Sequence, residues 1–215
     1  MEAEIGAAER VALNYVPAAV RPKIASFFAL DRRLAQIVAG SNEPMLGQMR
    51  LAWWRDMLQK PNQNRPAGDA VLDGVGVSWS RSSENLLPLV DAWEIFLLAE
   101  ELTDDAMVNF AVKRASPLCR AIEFTDEPTG NRIGNLGAVW ALADTAAHVS
   151  KQEERDLILS LARARIEDLP LHPRVPAPIA VLGALSTRAI ARGGRPLMEG
   201  RGAAWAALRA GLTGR

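Results

Sequence analysis

Few residues in this chain have the type and spacing to do chemistry. The histidines are His148 and His172, and Cys119 is the single cysteine. Asp144 and His148 stand four residues apart, one turn of a helix. Such a pair can share a metal ion or a proton, or simply stabilise an alanine-rich helix as solvated neighbours. His172, among the prolines of LPLHPRVPAP, reads as loop surface. Glu100, Glu101, Asp104 and Asp105 form the densest acidic cluster. It could hold Mg²⁺, which takes a few carboxylates and keeps several waters. It suits equally well the end of one helix and the acidic first turn of the next, capped by Thr103 or Asp104. The Trp53-Trp54 pair is flanked by Arg50 and Arg55. The tryptophans can be a ligand platform or core. The arginines can pair with carboxylates or grip a phosphate bidentately. Cys119, in the apolar run SPLCRAIEF, reads as an inert packed thiol. There is no glycine-rich phosphate loop, no zinc-spaced Cys/His set and no nucleophile elbow. Taken alone, these residues make no convincing catalytic set.

The elements that must position them are helical. Apolar residues recur with helical period, and alternating strand patterns are almost absent. Helices are expected over Ala3 to Tyr15, Lys23 to Ala39 with Pro22 in the first turn, Glu43 to Gln59, Leu86 to Glu101, and Asp104 to Phe124. Further helices are expected over Leu136 to Val149, Lys151 to Glu167 capped by Ser150 with Glu153, Ile179 to Arg192, and Ala203 to Leu212. In the third helix Leu46, Met49, Trp53 and Met57 share one stripe, while Leu51, Trp54 and Leu58 populate the other side. That pattern predicts a central helix packed from two directions, with Trp53 buried and both Arg50 and Arg55 paired. Residues 60–85 read as an irregular loop region. About eight helices in 215 residues argue for one all-α domain over 1–215.

Composition narrows the class further. The chain is 49% hydrophobic and 23% charged, with 25 basic and 25 acidic residues and no formal net charge. A polyanion partner needs a basic surplus, so nucleic acid is not expected. One cysteine permits no internal disulfide and suits a reducing compartment. MEAEIGAAERVALNYV lacks the layout of a secretory signal, and no stretch has the roughly 18 uncharged apolar residues of a membrane span. A cytoplasmic protein, or one peripheral to the inner membrane, is expected.

The segment Phe27 to Leu58, FFALDRRLAQIVAGSNEPMLGQMRLAWWRDML, resembles the first signature region of squalene and phytoene synthases. That region reads aromatic-Ala-x-Cys-Arg-x-x-Asp-x-x-x-Asp, then a turn, then a helix with Arg-Leu-x-Trp-Trp-Arg. Residues Arg50 to Arg55 match the second element at every defined position. LPLVDAWEIFL (Leu87 to Leu97) resembles the helix that follows, and Leu136 to Val149 the late helix that carries a second acidic motif. The resemblance implies a truncated single-domain bundle of the isoprenoid synthase type. It implies a cavity lined by Phe28, Trp53 and Trp54, with Arg32, Arg50 and Arg55 as remnants of phosphate binding.

The family joins two prenyl diphosphates head to head. Aspartates on facing helices hold Mg²⁺, which draws off diphosphate. Aligned on Arg32, this chain has Ala35 and Ala39 at the first acidic positions; aligned on Gly137, it has His148 and Gln152 near the second. Ala and Gln supply no anionic oxygen for magnesium. A complex I assembly branch of the family likewise diverges at its acidic motifs. The expectation is therefore a catalytically degenerate protein with no metal or other cofactor, binding an apolar lipid or prenyl ligand or a protein partner. The alternative is an active Mg²⁺-dependent prenyl transferase using relocated carboxylates, namely Glu100, Glu101, Asp104, Asp105 or Asp144. An inactive subunit of a heteromeric synthase is a third reading. Three or more carboxylates on the main cavity would argue for the enzyme, and an exposed apolar face for the subunit.

Overall fold

The computed structural model describes residues 5–41, 43–122, 126–169 and 174–214. His172 lies outside them. The described residues form ten α-helices and no strand. In chain order these are α1 (Ala7–Leu13), α2 (Arg21–Ala39), α3 (Pro44–Gln59), α4 (Ala70–Ser78) and α5 (Leu87–Leu98), then α6 (Asp104–Ala121), α7 (Glu127–Ala146), α8 (Gln152–Glu167), α9 (Ala177–Ala191) and α10 (Gly202–Thr213). Short 3₁₀ turns at Asn62–Asn64 and Ser83–Leu86 flank α4.

The central helix is α7, not α3. From Leu136 to Ala143 every residue of α7 is buried, and α6, α8 and α9 pack around it. A helix apolar on all sides must be enclosed. Gly137 allows a close approach of α6, because a Cβ there would lie 2.9 Å from the Ala115 Cβ and 3.0 Å from the Cys119 sulfur. Helix α2 forms a second hub, packed on α4, α5, α6 and α3. Helix α10 lies at the periphery, against α9 and α1.

Helix α3 is packed from one side only. Leu51, Trp54, Met57 and Leu58 are buried, whereas Leu46 is 49%, Met49 64% and Trp53 40% exposed. The expected burial of Trp53 is thus corrected: Trp53 leans edge-on against Trp54 at 5.2 Å, on the solvent side. Of the two arginines expected to pair, Arg55 reaches Asp91 and Glu94 on α5, each at 2.5 Å. Arg50 is exposed, with no carboxylate in ion-pair range among the described residues.

Residues 60–85 are not an irregular loop. Within them α4 buries Val71, Leu72 and Val75, and Trp79 follows at 1% exposure. Asp69 caps α4 by accepting from the Val71 and Leu72 amides at 2.9 and 3.0 Å, and pairs with Arg33 of α2 at 2.7 Å. The Trp79 indole donates to the Lys23 carbonyl at 3.0 Å and lies 3.1 Å from the Ser26 hydroxyl. Two glycines and three valines depress intrinsic helix propensity in AVLDGVGVS, and burial against α2 overrides it. The expected Ser150 cap does not form either; α8 begins after Lys151 without a side-chain cap.

Candidate functional site

Three helices each carry one charged residue within a core-facing apolar stripe. On α1 it is Glu9, spaced with Ile5, Leu13 and Val16; on α2 it is Asp31, with Ile24, Phe27 and Leu34; on α6 it is Arg114, with Met107, Phe110 and Leu118. Burying a lone charge is costly, so such residues must find each other. They meet beside α7.

Arg114 is the centre of this group. Its Nε and Nη2 donate to the two oxygens of Asp31 at 3.0 and 2.7 Å. Nη2 also donates to Asp144 at 2.6 Å, and Nη1 to the Ala141 carbonyl and the Thr145 hydroxyl at 3.2 and 3.1 Å. All five donor positions of a guanidinium are thereby used. Its carbon lies 4.9 Å from the Trp93 ring centre and 4.7 Å from that of Trp140, so aromatic faces add cation–π attraction. Burial disfavours the charge, but Asp31 and Asp144 outweigh it and raise the Arg114 pKa. Asp31 also accepts from the Trp93 indole at 2.8 Å.

Asp144 and Glu9 are driven in opposite directions. Burial alone would raise the Asp144 carboxyl. Arg114, helped by His148 and Arg32, overcomes that and holds Asp144 below its ordinary value. Glu9 is pushed up to about 7, first by burial and then by the negative charge of Asp144. The Trp140 indole donates to Glu9 at 3.0 Å and offsets part of this rise. Burial also pushes the Cys119 thiol up to about 12, in keeping with a packed cysteine.

Two cavities adjoin at this cluster. The smaller, of about 220 Å³, is lined by Glu9, Asp31, Arg114, Phe28 and the 196–198 segment. The larger, of about 500 Å³, is lined by Val38, Ala39, Trp93, Phe96, Val149 and Glu154. Arg32, Ala35, Asp144 and His148 line both. The result is a polar lobe joined to a more apolar one. Arg32 has no carboxylate in ion-pair range among the described residues. His148 Nδ1 sits 2.7 Å from the Asp144 carbonyl and 3.7 Å from its carboxylate.

Of the residues expected from the sequence, Phe28 and Arg32 line the cavities. Trp53, Trp54, Arg50 and Arg55 line neither. Glu100, Glu101, Asp104 and Asp105 are exposed at the α5–α6 turn, away from both cavities; Thr103 caps α6, with Asp104 and Asp105 in its first turn. The solvated-pair reading of Asp144 and His148 holds for half-exposed His148 and fails for Asp144, which is bound to Arg114. Glu9, Asp31 and Arg114 were not singled out by motif spacing. Their visible signal is a charge placed at core positions of an apolar helical stripe. Among the described residues no three His, Cys, Asp or Glu side chains are arranged to hold one metal ion.

This is an all-helical protein whose two adjoining cavities are organised by charges from several helices. The family model for squalene/phytoene synthase matches residues 9–118, from Glu9 on α1 into α6, and the chain belongs to that family. No curated protein and no solved structure matches it.

Proposed function

We propose that this protein is a catalytically degenerate squalene/phytoene synthase-like protein that binds an amphipathic prenyl or acyl ligand across the two joined cavities. The apolar lobe by Trp93 and Phe96 takes the chain, and Arg32 and His148 face its polar end. The observation that carries the reading is Arg114. It occupies both oxygens of Asp31 and one of Asp144, which a magnesium site would need free. Glu9, close to neutral pH in its titration, adds less than a full charge. With Arg32 alongside, the lobe has almost no net negative charge to draw divalent cations. The donor set therefore does not fit magnesium, and prenyl diphosphate ionisation would lack the cationic clamp that absorbs charge on the leaving group.

The active-enzyme reading has one observation in its favour: Glu9, Asp31 and Asp144 converge on the polar lobe. Labelled farnesyl and geranylgeranyl diphosphates separate the two readings. We expect saturable binding that is indifferent to Mg²⁺ and weakened in Arg32→Glu, with no C30 or C40 hydrocarbon formed. Magnesium-dependent turnover abolished by Asp144→Asn would overturn the reading, as would absence of binding.

A further inference from the structure

From Arg188 onward the sequence holds six arginines against one glutamate, a surplus of five positive charges in a chain whose total is zero. Among the described residues, Arg188, Arg192 and Arg195 lie ahead of α10, Arg201 stands at its start and Arg209 lies within it. Arg188 and Arg192 both donate to the Glu199 carbonyl, at 2.8 and 2.9 Å, just ahead of the helix. Arg195 reaches the Glu199 carboxylate at 3.7 Å. Arg174 touches the other end, since a Cβ at Gly214 would lie 3.5 Å from its Cβ.

The exposed face of α10 is apolar in the middle. Ala203, Ala207 and Ala210 are buried against the bundle. On the opposite face Trp205 is 74%, Leu208 44% and Leu212 76% exposed. At about 100° per residue, Arg201, Trp205, Leu208, Arg209 and Leu212 fall within an arc of roughly 100°. Among the described residues neither Arg201 nor Arg209 has a carboxylate in ion-pair range. A tryptophan and two leucines flanked by unpaired arginines match an interfacial helix, which sinks its apolar side chains among lipid headgroups while its cations meet anionic ones.

We propose that the outer face of α10 docks this protein on an anionic lipid bilayer. Charge selects this occupant, since an apolar ridge flanked by Arg201 and Arg209 complements acidic headgroups. The 196–198 segment, which walls the polar lobe, leads directly into α10, so docking sets that wall beside the membrane.

The test is flotation of the full chain with phosphatidylcholine vesicles, with and without equimolar phosphatidylglycerol. Binding should require phosphatidylglycerol and weaken as salt is raised. Trp205→Ser with Leu212→Ser, and separately Arg201→Glu with Arg209→Glu, should each weaken binding by about tenfold or more. These positions are exposed, so circular dichroism and melting should match the parent. Failure of the parent to float with acidic vesicles would overturn the proposal, as would unchanged binding by both variants. A parent dimer that dissociates in Trp205→Ser/Leu212→Ser, without vesicle binding, would assign the face to self-association instead.

Discussion

Glu9 holds its proton nearly to neutral pH because its carboxyl is buried close to the negative charge of Asp144. In the unfolded chain it would titrate near 4.5. Between these values the folded state binds more protons than the unfolded state, so stability contributed by Glu9 is present at low pH and lost as pH rises through about 7. The shift corresponds to at most about 3 kcal/mol. Glu9→Gln keeps an acceptor for the Trp140 indole and cannot ionise. Denaturant unfolding at pH 5 and pH 8 should therefore show the variant gaining on the parent at the higher pH, and parallel profiles would refute the assignment. Arg114 is the counterpart. Its removal leaves the buried Asp31 without a cationic partner, and Arg114→Met should cost about 3–5 kcal/mol. Adding Asp31→Asn should return part of that loss in the same unfolding assay. If it does not, Asp31 and Arg114 are not energetically coupled.

Helix α3 separates two adjacent tryptophans by environment. Trp54 is 3% exposed and Trp53 is 40% exposed. Trp54→Ala deletes a core aromatic and should cost about 3–5 kcal/mol. Trp53→Ala loses contact on one side only and should cost about 1 kcal/mol or less, as surface changes do. Melting curves of the two variants provide the check, and equal losses would contradict the one-sided burial of α3. The same helix anchors its outer edge through Arg55, whose two carboxylate partners lie one turn apart on α5. In α4, by contrast, a single aspartate both caps the helix and ties it to α2 through Arg33.

At the scale of the whole molecule, α7 joins the charge cluster to the α6, α8 and α9 layers. Gly137 lies where α7 meets α6 closely. A valine there must push α6 and α7 apart, and overpacking of this kind costs typically about 1–3 kcal/mol. Because α7 touches several layers, Gly137→Val should lower one cooperative transition seen equally by far-ultraviolet dichroism and tryptophan fluorescence. Separate transitions in the two signals would mean that the bundle does not unfold as a unit. Among the described residues no helix is long and apolar enough to cross a membrane.

Helical class and family were legible in the residues themselves. Periodicity is a local property, and Arg50 to Arg55 carry the family pattern within six consecutive positions. The α6 start was legible to within Thr103 or Asp104 for the same reason, since a cap depends on neighbours three residues away, and Thr103 takes the role. Which side of α3 faces inward was not: stripes lie on both sides, and the placement of α5, α2 and the Ser83–Leu86 turn selects Trp54 over Trp53. Helix α4 was hidden because its glycines and valines oppose helix locally, and its stability comes from packing on α2. The cavity cluster was hidden by distance along the chain. Asp31 and Arg114 are 83 residues apart and Trp140 is 131 from Glu9. A charge in an apolar stripe announces that it needs a partner, but not which one. Choosing that partner is a matter of which helices cross, and burial then sets the pKa of Glu9 and the occupation of Asp31. Local spacing determined most of the elements, with α4 the exception that needed packing; their crossing determined the site's chemistry, because electrostatic partners are set by proximity in space.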